Sequence, residues 1–303
     1  MKILFMGTPD YATTIFDKIL KHNFDVVGLF TQPDKPIGRK QIITPPHIKQ
    51  YCLDQDLNIP IYQPKTLKDE DTVGVIKSLK PDFIIVAAYG QILPKSILQL
   101  APCINLHASL LPKYRGASPI QEALLNNDEY SGVTAMMMEE GLDSGDILAW
   151  KYQKIYDDTK VDKLFDQLSQ IAANLTIEVL NNFDTIKPKQ QYESDVSYCK
   201  KIKKSDGLIS FDDAFKIYLK YKAYCYWPGL FLQSSLKLKE IEFIENDSSN
   251  ISGEILDIQK DFIVVGCIKG TIKINIVQPS GKKAMNVIDY IRGKRLEIGN
   301  ILS

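Results

Sequence analysis

The chain has 303 residues, 45% hydrophobic and 24% charged, which is typical of a globular protein long enough for two domains. The apolar run at residues 2–6 ends at Gly7, too soon for a signal peptide or a membrane span. The five cysteines form no CxxC pair, so neither a disulfide framework nor a zinc site is indicated. We therefore expect a cytoplasmic protein with reduced thiols and no metal.

The formal net charge is zero, but the charges are unevenly distributed. Basic residues exceed acidic ones in residues 187–303, and acidic residues are in excess over residues 1–186. A basic C-terminal part is compatible with a polyanionic partner such as nucleic acid. Charge alone, however, favours an ordinary solvated surface.

The N-terminal residues predict a parallel sheet. Strands at residues 2–6 and 24–31 flank a helix at residues 10–20, and this β-α-β order is typical of α/β proteins. Only Gly7 stands where a dinucleotide-binding fold carries GxGxxG, which disfavours an NAD-dependent dehydrogenase. Residues 32–47 are rich in proline and lack periodicity, so we predict an irregular loop, either a binding loop or a plain surface loop.

Alternating elements continue to residue 186. The predicted helices lie at residues 47–55, 67–79, 94–98, 118–126 and 161–180. The predicted strands lie at residues 59–62, 82–89, 103–107, 132–138 and 147–155. The near-continuous apolar run at residues 82–89 is typical of a central parallel strand.

The C-terminal part has a different pattern. Residues 187–206 lack periodicity and are predicted to be a linker. Beyond it, a helix at residues 212–224 precedes short strands with the spacing of a small β-barrel, and a helix at residues 285–292 closes the chain. The expected division is therefore 1–186, a linker 187–206, and 207–303. Trp227 lies in an aromatic cluster that could stack bases in a non-enzymatic RNA-binding module, although such a cluster more often belongs to a core or to a seam between domains.

Asn105 and His107 end a predicted strand and stand two residues apart, so their side chains project from the same face. Ligands of open α/β sheets bind beyond the carboxyl ends of strands, where this pair would lie. An amide and an imidazolium can both donate hydrogen bonds to a developing oxyanion. Asp143, in a glycine-punctuated acidic loop, would orient the histidine and favour its charged form. This trio lacks a Ser or Cys nucleophile and suits direct acyl transfer to an amine.

Plainer interpretations compete with this one. A histidine at a strand end is often a satisfied core residue, and Asp143 before Ser-Gly is ordinary turn chemistry. Because Asn105 stands two residues before His107 and a glycine-flanked Asp143 is available, a functional role is the better interpretation. A Ser-His-Asp hydrolase is disfavoured because Ser109 does not stand in a GxSxG elbow.

Three segments resemble the signature of the formyltetrahydrofolate-dependent formyltransferases: NLHASLLP at 105–112, YRGASPI at 114–120 and GLDSGD at 141–146. Four more extend the resemblance over essentially the whole chain: FMGTPD at 5–10, TQPD at 31–34, AYG at 88–90 and QPSGKKAM at 278–285. The last segment and the two-domain length favour the branch of the family that acts on charged tRNA.

The resemblance implies a Rossmann-like domain, a mostly parallel sheet with helices on both faces, followed by an OB-like β-barrel that binds tRNA. It implies formyl transfer from 10-formyltetrahydrofolate to the α-amine of methionyl initiator tRNA, catalysed by Asn105, His107 and Asp143. The folate site would be bordered by four consecutive residues, Ser109, Leu110, Leu111 and Pro112. Residues 34–44 would reach the tRNA acceptor arm, with Arg39 and Lys40 as tRNA contacts.

This loop is less basic than the loop typical of the family, so tRNA binding would depend more on the C-terminal lysines. Members of the superfamily that act on a glycinamide nucleotide or an amino-sugar nucleotide are the nearest alternatives. The first type usually lacks a second domain, and the sugar type can carry one. The expected partners are initiator methionyl-tRNA and formyltetrahydrofolate, without a membrane, and the expected state is a monomer.

Overall fold

The computed structural model describes residues 1–38 and 40–302, which form two compact units. The first unit contains Met1–Pro119, Tyr130–Ile155 and Lys163–Cys199. The second contains Ile120–Glu129, Tyr156–Asp162 and the chain from Lys200 onward. Residues 187–199, expected to be part of a linker, are thus grouped with the first unit.

Helices and strands alternate through most of the chain, and strands dominate its last third. The helices in the described residues are α1 (Asp10–Lys21), α2 (His47–Asp54), α3 (Glu70–Leu79), α4 (Lys95–Leu98), α5 (Pro119–Leu125), α6 (Val161–Asn182), α7 (Ala214–Tyr224) and α8 (Val287–Lys294). Short 3₁₀ turns lie at Phe183–Thr185, Glu193–Asp195 and Lys204–Gly207.

The strands fall into two groups, one in each unit. Those of the first unit are β1 (Lys2–Gly7), β2 (Asp25–Phe30), β3 (Lys35–Ile37), β4 (Ile42–Thr44), β5 (Ile61–Tyr62), β6 (Phe83–Ala87), β7 (Cys103–His107), β8 (Arg115–Gly116), β9 (Tyr130–Met137), β10 (Ile147–Lys154) and β11 (Tyr198–Cys199). Those of the second are β12 (Leu230–Phe231), β13 (Lys237–Glu245), β14 (Ile255–Ile258), β15 (Ile263–Gly266), β16 (Thr271–Gln278) and β17 (Met285–Asn286). The predicted helices and longer strands are confirmed, with ends displaced by a few residues.

A seven-stranded sheet organises the described part of the first unit, in the order β10-β9-β7-β6-β1-β2-β5. The five strands from β7 to β5 run parallel, and β9 and β10 add an antiparallel edge. β1, β6 and β7 are buried along nearly their whole length, as expected for strands covered on both faces. The predicted mostly parallel α/β fold is confirmed.

The stretch predicted to be an irregular loop contains a β-hairpin. β3 and β4 pair antiparallel, and the amide N–H of Gln41 donates to the carbonyl of Gly38 across their turn, at 3.3 Å. Ile37, Ile42 and Ile43 expose 58%, 61% and 64% of their surface. The prediction failed here because each strand has three residues and no buried face, so neither leaves an alternating apolar pattern.

An antiparallel sheet forms the centre of the second unit, in the order β12-β13-β16-β15-β14 with β17 paired to β16. Ile272 and Ile274 alternate into its core from β16, and Leu238 and Ile241 point into it from β13, where an irregularity at Glu240 shifts the alternation by one residue. The predicted C-terminal β domain is confirmed, and closure of this sheet into an OB-like barrel stays a prediction. Trp227, which was expected in a core or in a seam between domains, exposes 55% of its surface.

Candidate active site

The candidate site lies at the carboxyl end of β7. The order of the parallel strands reverses between β1 and β6, and β7 is the next neighbour of β6. Open α/β sheets bind ligands at such reversals, beyond the carboxyl ends of the strands. Asn105 and His107 lie in the last three residues of β7, and both are buried, with 9% and 6% of their surface exposed.

The structure brings the three predicted catalytic residues together. The amide Nδ2 of Asn105 donates to Oδ1 of Asp143 at 3.2 Å. Nδ1 of His107 lies 3.7 Å from Oδ2 of the same carboxylate. That separation is longer than a hydrogen bond but short enough for electrostatic attraction between a charged imidazole and the carboxylate. The aspartate therefore contacts the amide directly and faces the imidazole.

A main-chain carbonyl decides the tautomer of His107. Its Nε2 lies 2.9 Å from the carbonyl oxygen of Tyr114. Because a carbonyl only accepts hydrogen bonds, Nε2 must carry a hydrogen and donate it. The ring then presents Nδ1 towards Asp143. Sequence reasoning had assigned the orientation of this ring to the aspartate alone, and the Tyr114 contact was missed.

Two glycines are required near Asp143, Gly116 on β8 and Gly145 in the same loop as the aspartate. The amide N–H of Gly116 donates to Oδ2 of Asp143 at 2.9 Å. Gly116 has φ of 123°, and a Cβ there would collide with the carbonyl oxygen of Cys199. A Cβ on Gly145 would likewise collide with the carbonyl oxygen of Met137. Both positions need a residue without a side chain, which explains the glycines of these motifs.

The four residues predicted to border the folate site form the exit from β7. Ser109 and Leu111 are buried, and Leu110 and Pro112 are partly exposed. The hydroxyl of Ser109 donates to the carbonyl of Lys113 at 2.6 Å and so closes a turn. The side-chain oxygen of Ser109 is thus used within the fold, which leaves Leu110 and Pro112 as the accessible members of the group.

One of the two predicted tRNA contacts can be placed in the structure. Lys40 is exposed in the turn between β3 and β4. Arg39 lies outside the described residues.

Two ionisable groups buried at β7 are kept neutral. Burial raises the pKa of the Tyr11 hydroxyl, which donates to the carbonyl of Leu106 at 3.2 Å. Burial also raises the pKa of the Cys103 thiol to about 12. A thiol with that pKa supplies almost no thiolate near neutral pH, so Cys103 is not a nucleophile. The site offers hydrogen-bond donors and a carboxylate.

Sequence reasoning missed Gln191, which contacts the Asp143 loop, and Arg115, which contacts Gln191. Gln191 donates hydrogen bonds to main-chain carbonyls of that loop, and buried Arg115 donates to Gln191. Arg115 stood within a recognised motif, which was a usable signal. Gln191 stood in the predicted linker, where no pattern singled it out.

Comparison with known families decides where the chain belongs. Residues 1–180 match the family model described as Formyl transferase, and residues 201–295 match Formyl transferase, C-terminal domain. The chain belongs to the formyl transferase family. The resemblance inferred from the motifs is thereby confirmed over both parts of the chain.

Relatives of this formyl transferase match it end to end. A protein of a Nitratiruptor species, named methionyl-tRNA formyltransferase, is 58% identical over 99% of both chains. A protein of Sulfurimonas denitrificans with the same name is 55% identical over 100% of both chains.

Solved structures share the fold of this formyl transferase at low sequence identity. The N-formyltransferase of Helicobacter canadensis, in complex with folinic acid and dTDP-3-aminofucose, is 17% identical with a TM-score of 0.66, over 91% of this chain and 99% of that one. A HypX variant of Aquifex aeolicus is 15% identical with a TM-score of 0.66, and the match covers 99% of this chain and 48% of HypX. Within the described residues, no helix has the length and apolarity needed to cross a membrane.

Proposed function

We propose that this formyl transferase transfers the formyl group of 10-formyltetrahydrofolate to the α-amine of methionyl initiator tRNA. The observation that carries the proposal is the 58% identity, over 99% of both chains, to a relative named methionyl-tRNA formyltransferase. The assembled trio of Asn105, His107 and Asp143 supports it, because those groups suit acyl transfer without a covalent enzyme intermediate.

The donors of the site fit a formyl oxygen. Among the described residues, only one hydrogen bond is made by the Asn105 amide nitrogen, to Asp143, so its second hydrogen is available. Nδ1 of His107 borders the same carboxylate. An oxygen held beside both groups would gain stabilisation as it becomes negative. Desolvation of these buried side chains strengthens that effect.

In the proposed reaction the neutral amine attacks the formyl carbon, and its new C–N bond forms as the carbonyl electrons move to the oxygen. Asn105 and protonated His107 hold that oxyanion. The bond from the carbon to N10 then breaks, and the proton lost by the amine replaces the carbon on N10. Asp143 supports this by holding the Asn105 amide and by stabilising the charged imidazole, and it can relay the proton.

The remaining contacts follow from the positions of the residues. Leu110 and Pro112 would pack against the folate, since they are the accessible members of the β7 exit. Arg39 and Lys40 would contact tRNA phosphates, and Lys40 is exposed in the turn between β3 and β4. We place the enzyme in the cytoplasm, where initiator tRNA is charged. We expect it to act as a monomer.

A formylation assay with three acceptors tests the proposal. The protein is mixed with 10-formyltetrahydrofolate and Met-charged initiator tRNA, Met-charged elongator tRNA, or a dTDP-linked amino sugar. We expect formyl-methionine on initiator tRNA only. Formylation of the amino sugar without formylation of either tRNA would overturn the assignment.

A further inference from the structure

Residues 187–199 are bound along the loop that carries Asp143. The main chains of Ile147 and Lys189 exchange two hydrogen bonds, each 2.8 Å long. β11 pairs with β8, which places Cys199 opposite Gly116. A stretch with no sequence pattern therefore pairs with β8, whose Gly116 donates to the Asp143 carboxylate, and with the first residue of β10, which follows the Asp143 loop.

Gln191 is the side chain of this segment that reaches the Asp143 loop. It is 6% exposed, and its Nε2 donates to the carbonyl of Asp143 at 2.9 Å and to that of Gly145 at 2.8 Å. Its Oε1 accepts from Nε and Nη2 of Arg115, at 3.0 and 2.9 Å. Both hydrogens and both lone pairs of the amide are thus used.

The chemistry of these partners permits one orientation of the amide. In the flipped orientation, Oε1 would face two carbonyl oxygens and Nε2 would face a guanidinium that has only donors. Arg115 is itself 2% exposed, and its charge is balanced by Glu193, whose Oε1 accepts from Nη1 at 3.2 Å. A buried, charge-balanced arginine with a planar set of donors thus fixes the direction in which Gln191 donates.

Asp143 adopts a left-handed backbone conformation, with φ of 48°. Aspartate tolerates this region better than most residues, so what the loop needs is contacts that hold the conformation in place. The carboxylate of Asp143 must at the same time meet Asn105, Gly116 and His107. Hydrogen bonds to the carbonyls of residues 143 and 145 hold the loop where these three contacts are made.

We propose that Gln191, oriented by Arg115, is a positioning residue that sets the place of the Asp143 carboxylate in the catalytic group. The inference rests on the proposed function only for its assay. Small displacements of a catalytic group are expensive, since about 1 Å can cost on the order of 100-fold in rate. Loss of Gln191 should therefore lower turnover and leave substrate binding largely intact.

The test uses two substitutions and a matched control. Gln191→Met keeps the size of the side chain and removes its hydrogen bonds. Gln191→Glu keeps an acceptor for Arg115 and loses both donors. Gln190→Met makes the first change at the adjacent residue, which is exposed. Thermal unfolding followed by circular dichroism checks that each variant folds.

We expect both Gln191 variants to lower kcat by about 10- to 100-fold, with KM for charged tRNA and for folate changed less than about 3-fold. Gln190→Met should match the wild type. In an Asp143→Asn background, Gln191→Met should lower kcat by less than about 3-fold, because a residue that acts through Asp143 has little left to position.

Equal kcat losses in both backgrounds would overturn the proposal, and so would a rise in KM with kcat retained, or wild-type behaviour. Failure of both Gln191 variants to fold would assign the residue a purely structural role and would equally overturn it. The wild type is assayed in parallel on initiator tRNA. If the wild type formylates initiator tRNA and the Gln191 variants have wild-type kcat and KM, the proposed function stands and only the positioning role is rejected.

Discussion

Asn105 and His107 lie on one face of β7 because side chains two residues apart in a strand point the same way. That relation could be predicted from the sequence, and so could the value of two donors for an oxyanion. The contact of Nε2 with the Tyr114 carbonyl could not. It depends on the path of the main chain beyond β7, which no local pattern encodes.

Replacing Asn105 tests the oxyanion assignment at the scale of one residue. Asn105→Ala should lower kcat by roughly 100- to 1000-fold, about 3 kcal/mol of barrier, because a donor to the developing oxyanion is lost. Rates under single-turnover conditions, with enzyme in excess over charged tRNA, measure the effect.

Asn181→Ala provides the control, since Asn181 is exposed near the end of α6. It should retain the rate of the wild type. Near-normal turnover by a correctly folded Asn105→Ala enzyme would remove Asn105 from the catalytic group.

At the scale of elements, the shortest strands carry much of the functional geometry. β8 and β11 have two residues each, and their pairing joins residues 83 positions apart, Tyr198 with Arg115 and Cys199 with Gly116. Two-residue strands leave no periodicity to detect, so the sequence could not predict them. β8 nevertheless contains both Arg115 and Gly116. Gly116 donates to the carboxylate of Asp143, and Arg115 donates to Gln191, which in turn binds the main chain of the Asp143 loop.

The β3–β4 hairpin is the element to which the tRNA contacts are assigned. We predict that Arg39→Ala and Lys40→Ala each raise KM for charged tRNA by several-fold, because a phosphate contact is lost, and leave KM for 10-formyltetrahydrofolate unchanged. Steady-state kinetics with each substrate varied in turn separate the two effects.

Lys77→Ala is the matched control, an exposed lysine on α3. It should leave both KM values unchanged. A parallel loss for tRNA and folate in the hairpin variants would instead indicate that the hairpin supports the fold.

At the scale of the whole molecule, the excess of basic residues after residue 187 lies in residues 200–303, most of which match the C-terminal formyl transferase model. Four lysines between residues 200 and 204 are exposed at the start of this range. A polyanion such as tRNA would release counterions from these positions on binding, and that makes its affinity depend on salt.

Replacing these four lysines by glutamine should raise KM for charged tRNA and flatten its dependence on salt. Each phosphate contact removed lowers the slope of log KM against log salt concentration by roughly 1. KM measured across a series of KCl concentrations tests this. Glutamine at Lys68 and Lys77, exposed in the first unit, should leave the slope unaltered. An unaltered slope in the fourfold variant would show that these lysines do not meet tRNA.

The sequence by itself determined the order of the elements, the parallel sheet, the C-terminal β domain and the family. These follow from local information, because continuous apolar runs, turn glycines and motif spacing are properties of adjacent residues. For the same reason, the sequence could single out Asn105, His107 and Asp143 as candidate catalytic residues.

Only the tertiary structure decided how those residues are held. It showed that a main-chain carbonyl orients His107 and that the β3–β4 stretch is a hairpin. It also brought Gln191, 48 residues beyond Asp143, onto the carbonyl of that residue. Such contacts depend on where distant segments meet after the chain has folded, and a side chain that acts only by donating to a remote carbonyl leaves no trace in its own neighbourhood.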